Sequence, residues 1–339
     1  MSTTYTAIDF TKFILSFLVI IIHSNAYQLV SEDICALAVP VFFVFSGFFL
    51  YKSYVSSNKN INKLKSYLYK VIKLYLVYTS IYIPLTIYGF VKNDISPLRA
   101  IFIFVRQFLF VGENFFSWPL WYLLALIVSV FIIICFLKYN VRIFTIFIIS
   151  FLFTVTGILI NYLDNAESLP AAIDRFLYAY QKIFITTRNG LFVGLGYVST
   201  GMLIARYEAY IRKWNKIVCI LFCVAIAYYY YYGLPLGLNV MASITVCVLI
   251  QPQMNNWIVN KEHSIWLRNM STLNYFFHMY FLFVVQTFIA EYLNGDIYMY
   301  IPKEILMFII TTVLTLIFSA TVLTLLRNEK YRFLRILIS

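Results

Sequence analysis

The sequence predicts an all-α polytopic integral membrane protein, a helix bundle of about ten transmembrane helices with both termini cytoplasmic. Three observations carry that expectation. Hydrophobic residues make up 62% of the 339 and charged residues only 12%, whereas soluble proteins carry about a quarter charged side chains. The apolar residues gather in runs long enough to cross about 30 Å of hydrocarbon. The cations also sort by loop: with the amino terminus inside, nineteen of the 26 Lys and Arg fall on inner segments, and most acids fall on outer ones.

The spans are expected near 8–26, 34–51, 71–90, 119–137 and 143–162, then 189–205, 216–232, 235–250, 271–290 and 304–326. The run at 235–250 is the weakest, because Pro235, Gly237 and Asn239 interrupt its start. The first run lacks a basic leader followed by a small-residue cleavage site, so it is expected to be retained. Little length remains outside the spans, and one membrane-embedded domain over 1–339 with no soluble domain is expected. Two outer connections, 91–118 and 163–188, mix aromatic, apolar and charged residues, the pattern of interfacial helices or a partial lid. The Tyr228–Tyr232 run falls at an outer span end, where it reads as a headgroup anchor, with a sugar-stacking platform as the alternative.

The net charge of +12 follows the topology and does not point to nucleic acid. The five cysteines lie mostly in apolar stretches without ligand spacing, so they read as packing residues, and no metal site is expected.

Chemistry-bearing residues stand out against this apolar background. The first span, IDFTKFILSFLVIIIHSNAY, holds Lys12 and His23. Eleven helical steps make about three turns, so both share one face, about 16 Å apart along the axis. Lys12 lies near the inner interface, where snorkelling explains it as well as a ligand does. His23 is carried past the midplane, as a general base or as a packed, hydrogen-bonded residue. The ninth span places Ser271, Asn274 and His278 on one face, while His263 sits in an inner loop and reads as solvated. The second span, VPVFFVFSGFFLYKS, contains Ser46 and Gly47, which close helix packing also explains. Trp121 and Tyr122 open the fourth span, preceded by Glu113 and Trp118, a pattern shared with aromatic belts.

Taken in order, these motifs resemble the acyltransferase 3 family of bacterial membrane O-acyltransferases. Lys12 and His23 are similar to its first-helix Arg/Lys, ten residues, His pattern. PVFFVFSGFFL resembles its second-helix motif, PLWYLLAL its Leu-Trp-Tyr/Phe-Leu motif, and STLNYFFHMYF its late Ser, Tyr, His motif. RNGLFVGLGYVSTGMLIA further resembles the branch containing membrane domains of vancomycin-resistance serine racemases, which append a racemase domain that these 339 residues do not hold. In place of an arginine-rich motif before the third helix stand Lys70 and Lys73, which keep the charge without the bidentate fork.

The resemblance implies transfer of an acyl group, commonly acetyl, from cytoplasmic acyl-CoA to a hydroxyl of a cell-surface glycan or lipid-linked precursor in the bacterial plasma membrane. Acyl-CoA would be a co-substrate, and no permanently bound cofactor is implied. His23, Ser46 and His278 would be catalytic, with His23 acting as base or as the acylated group. Ser46, Asn274 or Trp121 would meet the developing oxyanion. Lys12, Lys70 and Lys73 would take the CoA phosphates. Glu113, Trp121, Tyr122, Arg188 and Asn274 would bind the acceptor. A transporter or flippase for a polar solute or lipid-linked sugar is the alternative, and a purely structural membrane protein is a third class.

Overall fold

A backbone that crosses hydrocarbon must satisfy its own N–H and C=O groups, and a chain this apolar does so with helices. The structure is a computed structural model that describes residues 5–166, 169–218, 220, 221, 224, 235–257, 260–292 and 302–338. Every regular element among them is helical. The chain is a polytopic membrane helix protein, and it divides into two compact units, one of residues up to 42 and from 208 onward, the other of residues 43–207.

The first unit is built on α1 (Thr6–Ser24), α12 (Lys261–Tyr292) and α13 (Lys303–Leu325). Helix α1 packs along α12, α12 along α13, and α1 also touches α13 and the short α2 (Glu32–Ala36). Asn25 ends α1 in the left-handed conformation, φ 56°, and its N–H reaches back to the last carbonyls. Ile8, Val19 and Ile20 of α1 and Leu273, Phe276 and Leu282 of α12 are buried. Thr311, Thr315 and Ser319 recur every fourth residue on α13 and are fully buried. The short α10 (Pro235–Leu249) and α11 (Pro252–Trp257) complete the unit, with a 3₁₀ segment at Glu329–Leu337.

The second unit takes the remainder of α3 (Ala38–Ser56), then α4 (Ile61–Lys92), α5 (Pro97–Arg106), α6 (Trp121–Lys138), α7 (Ile143–Asp164), α8 (Ala171–Phe184) and α9 (Leu195–Lys213) as far as Tyr207, the end of α9 from Glu208 belonging to the first unit. Helix α4 packs on α6, and both α6 and α7 pack on a π turn at Gly190–Gly194 that leads into α9. Helices α3 and α9 approach closely. A Cβ at Gly47 would fall 1.9 Å from the Val198 carbonyl oxygen, and one at Gly201 2.1 Å from that of Val44. Gly47 is therefore a packing residue. The two long connections expected on the outer side hold α5, which buries no side chain and leaves Leu98, Ile101 and Phe102 exposed, and α8, which buries only Leu177. Both fit the interfacial helices expected there.

Six helical segments among the described residues are long and apolar enough to cross a membrane: Thr6–Ser24, Glu32–Ser56, Ile61–Lys92, Trp118–Lys138, Ile143–Asp164 and Lys303–Leu325. About ten were expected. The run at 189–205 opens as the π turn, and 235–250 is a helix of 15 residues. The run at 271–290 is the later part of the 32-residue α12, which begins with the polar Lys261, Glu262 and His263. Most of 216–232, including Tyr228–Tyr232, lies outside the described residues, as do Cys219 and Cys223. The described Cys35, Cys135 and Cys247 are free thiols, and exposed His263 bonds through Nδ1 to Asn260 Oδ1 at 2.6 Å.

Candidate active site

In the first unit, α1 and α12 bring together residues from opposite ends of the chain. The imidazoles of His23 and His278 lie 5.2 Å apart, centroid to centroid, with planes tilted by 30°. His278 is fully buried. Its Nδ1 lies 3.1 Å from the Asn274 carbonyl oxygen. A carbonyl only accepts, so Nδ1 carries the proton and the neutral ring presents a lone pair at Nε2. That Nε2 has no hydrogen-bond partner among the described residues.

Asn274, also fully buried, stands one helical turn before His278. The Ser319 hydroxyl of α13 donates to Asn274 Oδ1 at 2.8 Å, which fixes the orientation of the amide. Asn274 Nδ2 is left as an unpartnered buried donor among the described residues. Among the described residues the centre thus holds a basic nitrogen and an N–H donor with bonding capacity to spare, which burial makes costly unless water or a ligand completes it.

Toward the start of α1 the polar face continues. Lys12 pairs with Asp9 at 4.0 Å, and Asp9 Oδ2 accepts from the Ser264 hydroxyl at 2.8 Å. Ser271 donates to the Lys12 carbonyl at 2.8 Å, tying α12 to α1. Asp9 is buried, while the Lys12 side chain keeps 19% of its exposure, so the cation is both compensated and reachable. Farther down the same unit, Tyr5 donates to Glu208 at 2.8 Å, and Arg212 pairs with that carboxylate.

The second unit assembles the other expected residues. Ser46 Oγ and Tyr122 Oη are 2.9 Å apart. Phe43 stacks on Tyr197 and sits against the rings of Trp121 and Tyr122. Arg188 Nη2 donates to Glu113 Oε2 at 2.8 Å, and its guanidinium lies 4.8 Å over the Trp121 ring. Burial raises the Glu113 carboxyl above its ordinary pKa, with Arg188 opposing the rise. Asn189 caps the π turn by accepting from the Leu191 and Phe192 N–H groups, which holds Arg188 at its head. Lys70 and Lys73 lie on α4, the first exposed and the second half-buried.

The structure therefore groups Lys12, His23, Asn274 and His278 in one unit, and Ser46, Glu113, Trp121, Tyr122, Arg188, Lys70 and Lys73 in the other. Sequence reasoning missed Asp9 and Ser319. The Asp9 signal was present, since it stands three residues before Lys12 on the same helical face. Ser319 had none, because its role depends on a contact between helices.

The profile of the acyltransferase 3 family, described as an acyltransferase domain, matches residues 5–324. An amino-acid racemase of Enterococcus faecalis is 29% identical over 237 residues, which cover 65% of this chain and 31% of that relative. The chain thus matches less than a third of the racemase's length. No solved structure matches this chain. With the family profile running through α1, α12 and nearly all the chain between and beyond, this protein belongs to the acyltransferase 3 family of membrane acyltransferases.

Proposed function

We propose that this protein is an O-acyltransferase of the bacterial plasma membrane. It moves an acyl group, acetyl in the simplest case, from cytoplasmic acyl-CoA to a hydroxyl of a cell-surface glycan or lipid-linked precursor. One observation carries the reading: His278 Nε2 and Asn274 Nδ2, a base and a donor with unused capacity, stand beside His23 on a buried polar face.

Each group has a place in the reaction. An imidazole lone pair of the His23/His278 pair takes the proton of the acceptor hydroxyl, whose oxygen attacks the thioester carbonyl. Asn274 Nδ2 donates to the oxyanion of the tetrahedral intermediate, in a site dry enough to strengthen that bond. Collapse breaks the C–S bond, and the departing sulfur receives the proton from the imidazolium. Lys12, reachable near the start of α1, attracts the anionic end of the donor, and in the other unit Lys70 and Lys73 are cations suited to phosphate. Arg188 and Glu113, with Trp121 beneath the guanidinium, suit a polar acceptor such as a sugar, and Ser46 and Tyr122 offer hydroxyls nearby in the same unit.

A polar face shared by α1, α12 and α13 also suits a solute path, so a transporter is the second reading. Protein in nanodiscs incubated with radiolabelled acetyl-CoA and fractionated envelope glycans separates the two. Label recovered as an alkali-labile ester on glycan supports acyl transfer. Solute counterflow in proteoliposomes without any thioester consumption would replace it with transport.

A further inference from the structure

At the foot of α12 and α13 the first unit contains a pocket, about 430 Å³, that none of the preceding chemistry uses. Four residues of α12 line it: Glu262, Ile265, Trp266 and Asn269, spaced i, i+3, i+4 and i+7 on one helical face. Across from them are Leu323, Leu326 and Arg327 at the end of α13, and Arg335 and Ile338 at the chain's end.

The direction of this pocket excludes a role in feeding the histidine centre. Ser271, Asn274 and His278 follow Glu262, Ile265 and Asn269 by nine residues each, and nine residues are two and a half helical turns. The pocket therefore lies on the opposite side of α12 from the catalytic face. Its level is equally telling, because the span-length part of α13 ends at Leu325 and Arg327 comes two residues later, where headgroups lie.

Its chemistry divides in the same way. Leu323, Leu326, Ile265 and Ile338 make an apolar wall, Trp266 is 38% exposed, and exposed Arg327 and Arg335 stand beside it. Glu262 is the one acid in the lining, against these two guanidinium groups. The flanking 3₁₀ segment adds Lys330 and leaves Phe333 69% exposed, an arrangement suited to lying in the membrane surface.

We infer that this pocket binds an anionic phospholipid, its phosphate held by Arg327 and Arg335 and its first methylenes against Leu323 and Leu326. Basic pockets between membrane helices recognise such headgroups, at about fivefold in affinity per cation. The inference is independent of the acyl-transfer reading, since the site faces away from the histidines.

Native mass spectrometry of protein exchanged into nanodiscs of phosphatidylcholine with graded phosphatidylglycerol tests it. Wild type should retain phosphatidylglycerol in preference to phosphatidylcholine. Arg327→Gln with Arg335→Gln should lower that preference about 25-fold, and Arg335→Gln alone, a change outside the spans, about fivefold. Arg327→Lys with Arg335→Lys should keep most of it. Unchanged retention in the glutamine variants overturns the proposal. So does displacement of the lipid by 3′,5′-ADP, which would make the pocket a nucleotide site.

Discussion

Ser319 Oγ donates to Asn274 Oδ1 at 2.8 Å, so a hydroxyl on α13 decides which way a buried amide on α12 points. Because the oxygen is engaged, the NH₂ group is the end presented to a ligand. Orientation by a neighbouring hydrogen bond of this kind converts a polar core residue into a preorganised donor.

Ser319→Ala should therefore act on catalysis more than on binding. The variant is expected to lower kcat for acyl transfer about tenfold, leave the KM for acyl-CoA unchanged, and cost about 1 kcal/mol of stability for the lost bond. Steady-state kinetics with thermal unfolding in detergent checks both. A raised KM at constant kcat would place Asn274 in ground-state binding instead.

Asp9 and Lys12 make a second linked pair. Asp9→Asn keeps a partner for the Ser264 hydroxyl but removes the charge that compensates Lys12. With Lys12 19% exposed, the expected cost is about 1–2 kcal/mol, below that of a fully buried unpaired charge. Combining Asp9→Asn with Lys12→Met should recover part of it, which a double-mutant cycle on unfolding measures. An additive loss would show that the two charges are not coupled.

Gly201 tests the packing of the second unit. A methyl group there would meet the Val44 carbonyl oxygen at 2.1 Å, and a backbone atom inside a helix has little room to yield. Gly201→Ala should destabilise by about 2 kcal/mol. Unfolding of wild type and variant in the same detergent reads this directly, and an unchanged midpoint would mean that α3 and α9 separate without penalty.

These cases mark what was legible in the sequence. Apolar runs located α6, α7 and α13 to within two residues, because hydropathy and helix length coincide there. The same reading began α4 ten residues late, at 71 instead of 61. Its first turns, INKLKSYLYK, are polar yet helical, capped by Asn60 and continuous with the apolar part. Spacing within one helix placed Lys12 and His23 together and Asn274 with His278. It could not show that the two sets meet, since the 5.2 Å approach of the histidines is made by packing between helices. The unused Nε2 lone pair of His278 follows from a backbone hydrogen bond, which composition does not record.

Glu113 gives a pH dependence. Burial raises its pKa, so it protonates at a higher pH than an ordinary carboxyl, and the ion pair with Arg188 is lost as pH falls through that value. For fold stability the sign is the reverse: a carboxyl whose pKa is raised on folding favours the fold below its unfolded pKa, and that contribution is lost as pH rises through the folded value. Acidification should therefore raise the acceptor KM in wild type without unfolding through this group, and Glu113→Gln should flatten the dependence. Acceptor KM against pH, with melting at each pH, checks it. A Glu113→Gln variant with the wild-type KM profile would remove this pair from the acceptor site.

The most direct measurement is release of free CoA from acetyl-CoA by purified protein in nanodiscs, comparing wild type with His278→Ala and His23→Ala. The account predicts turnover by wild type and a loss of at least about 100-fold in each variant, with both still folded. Turnover that survives both substitutions would contradict it, because the histidine pair would then have no part in moving the proton.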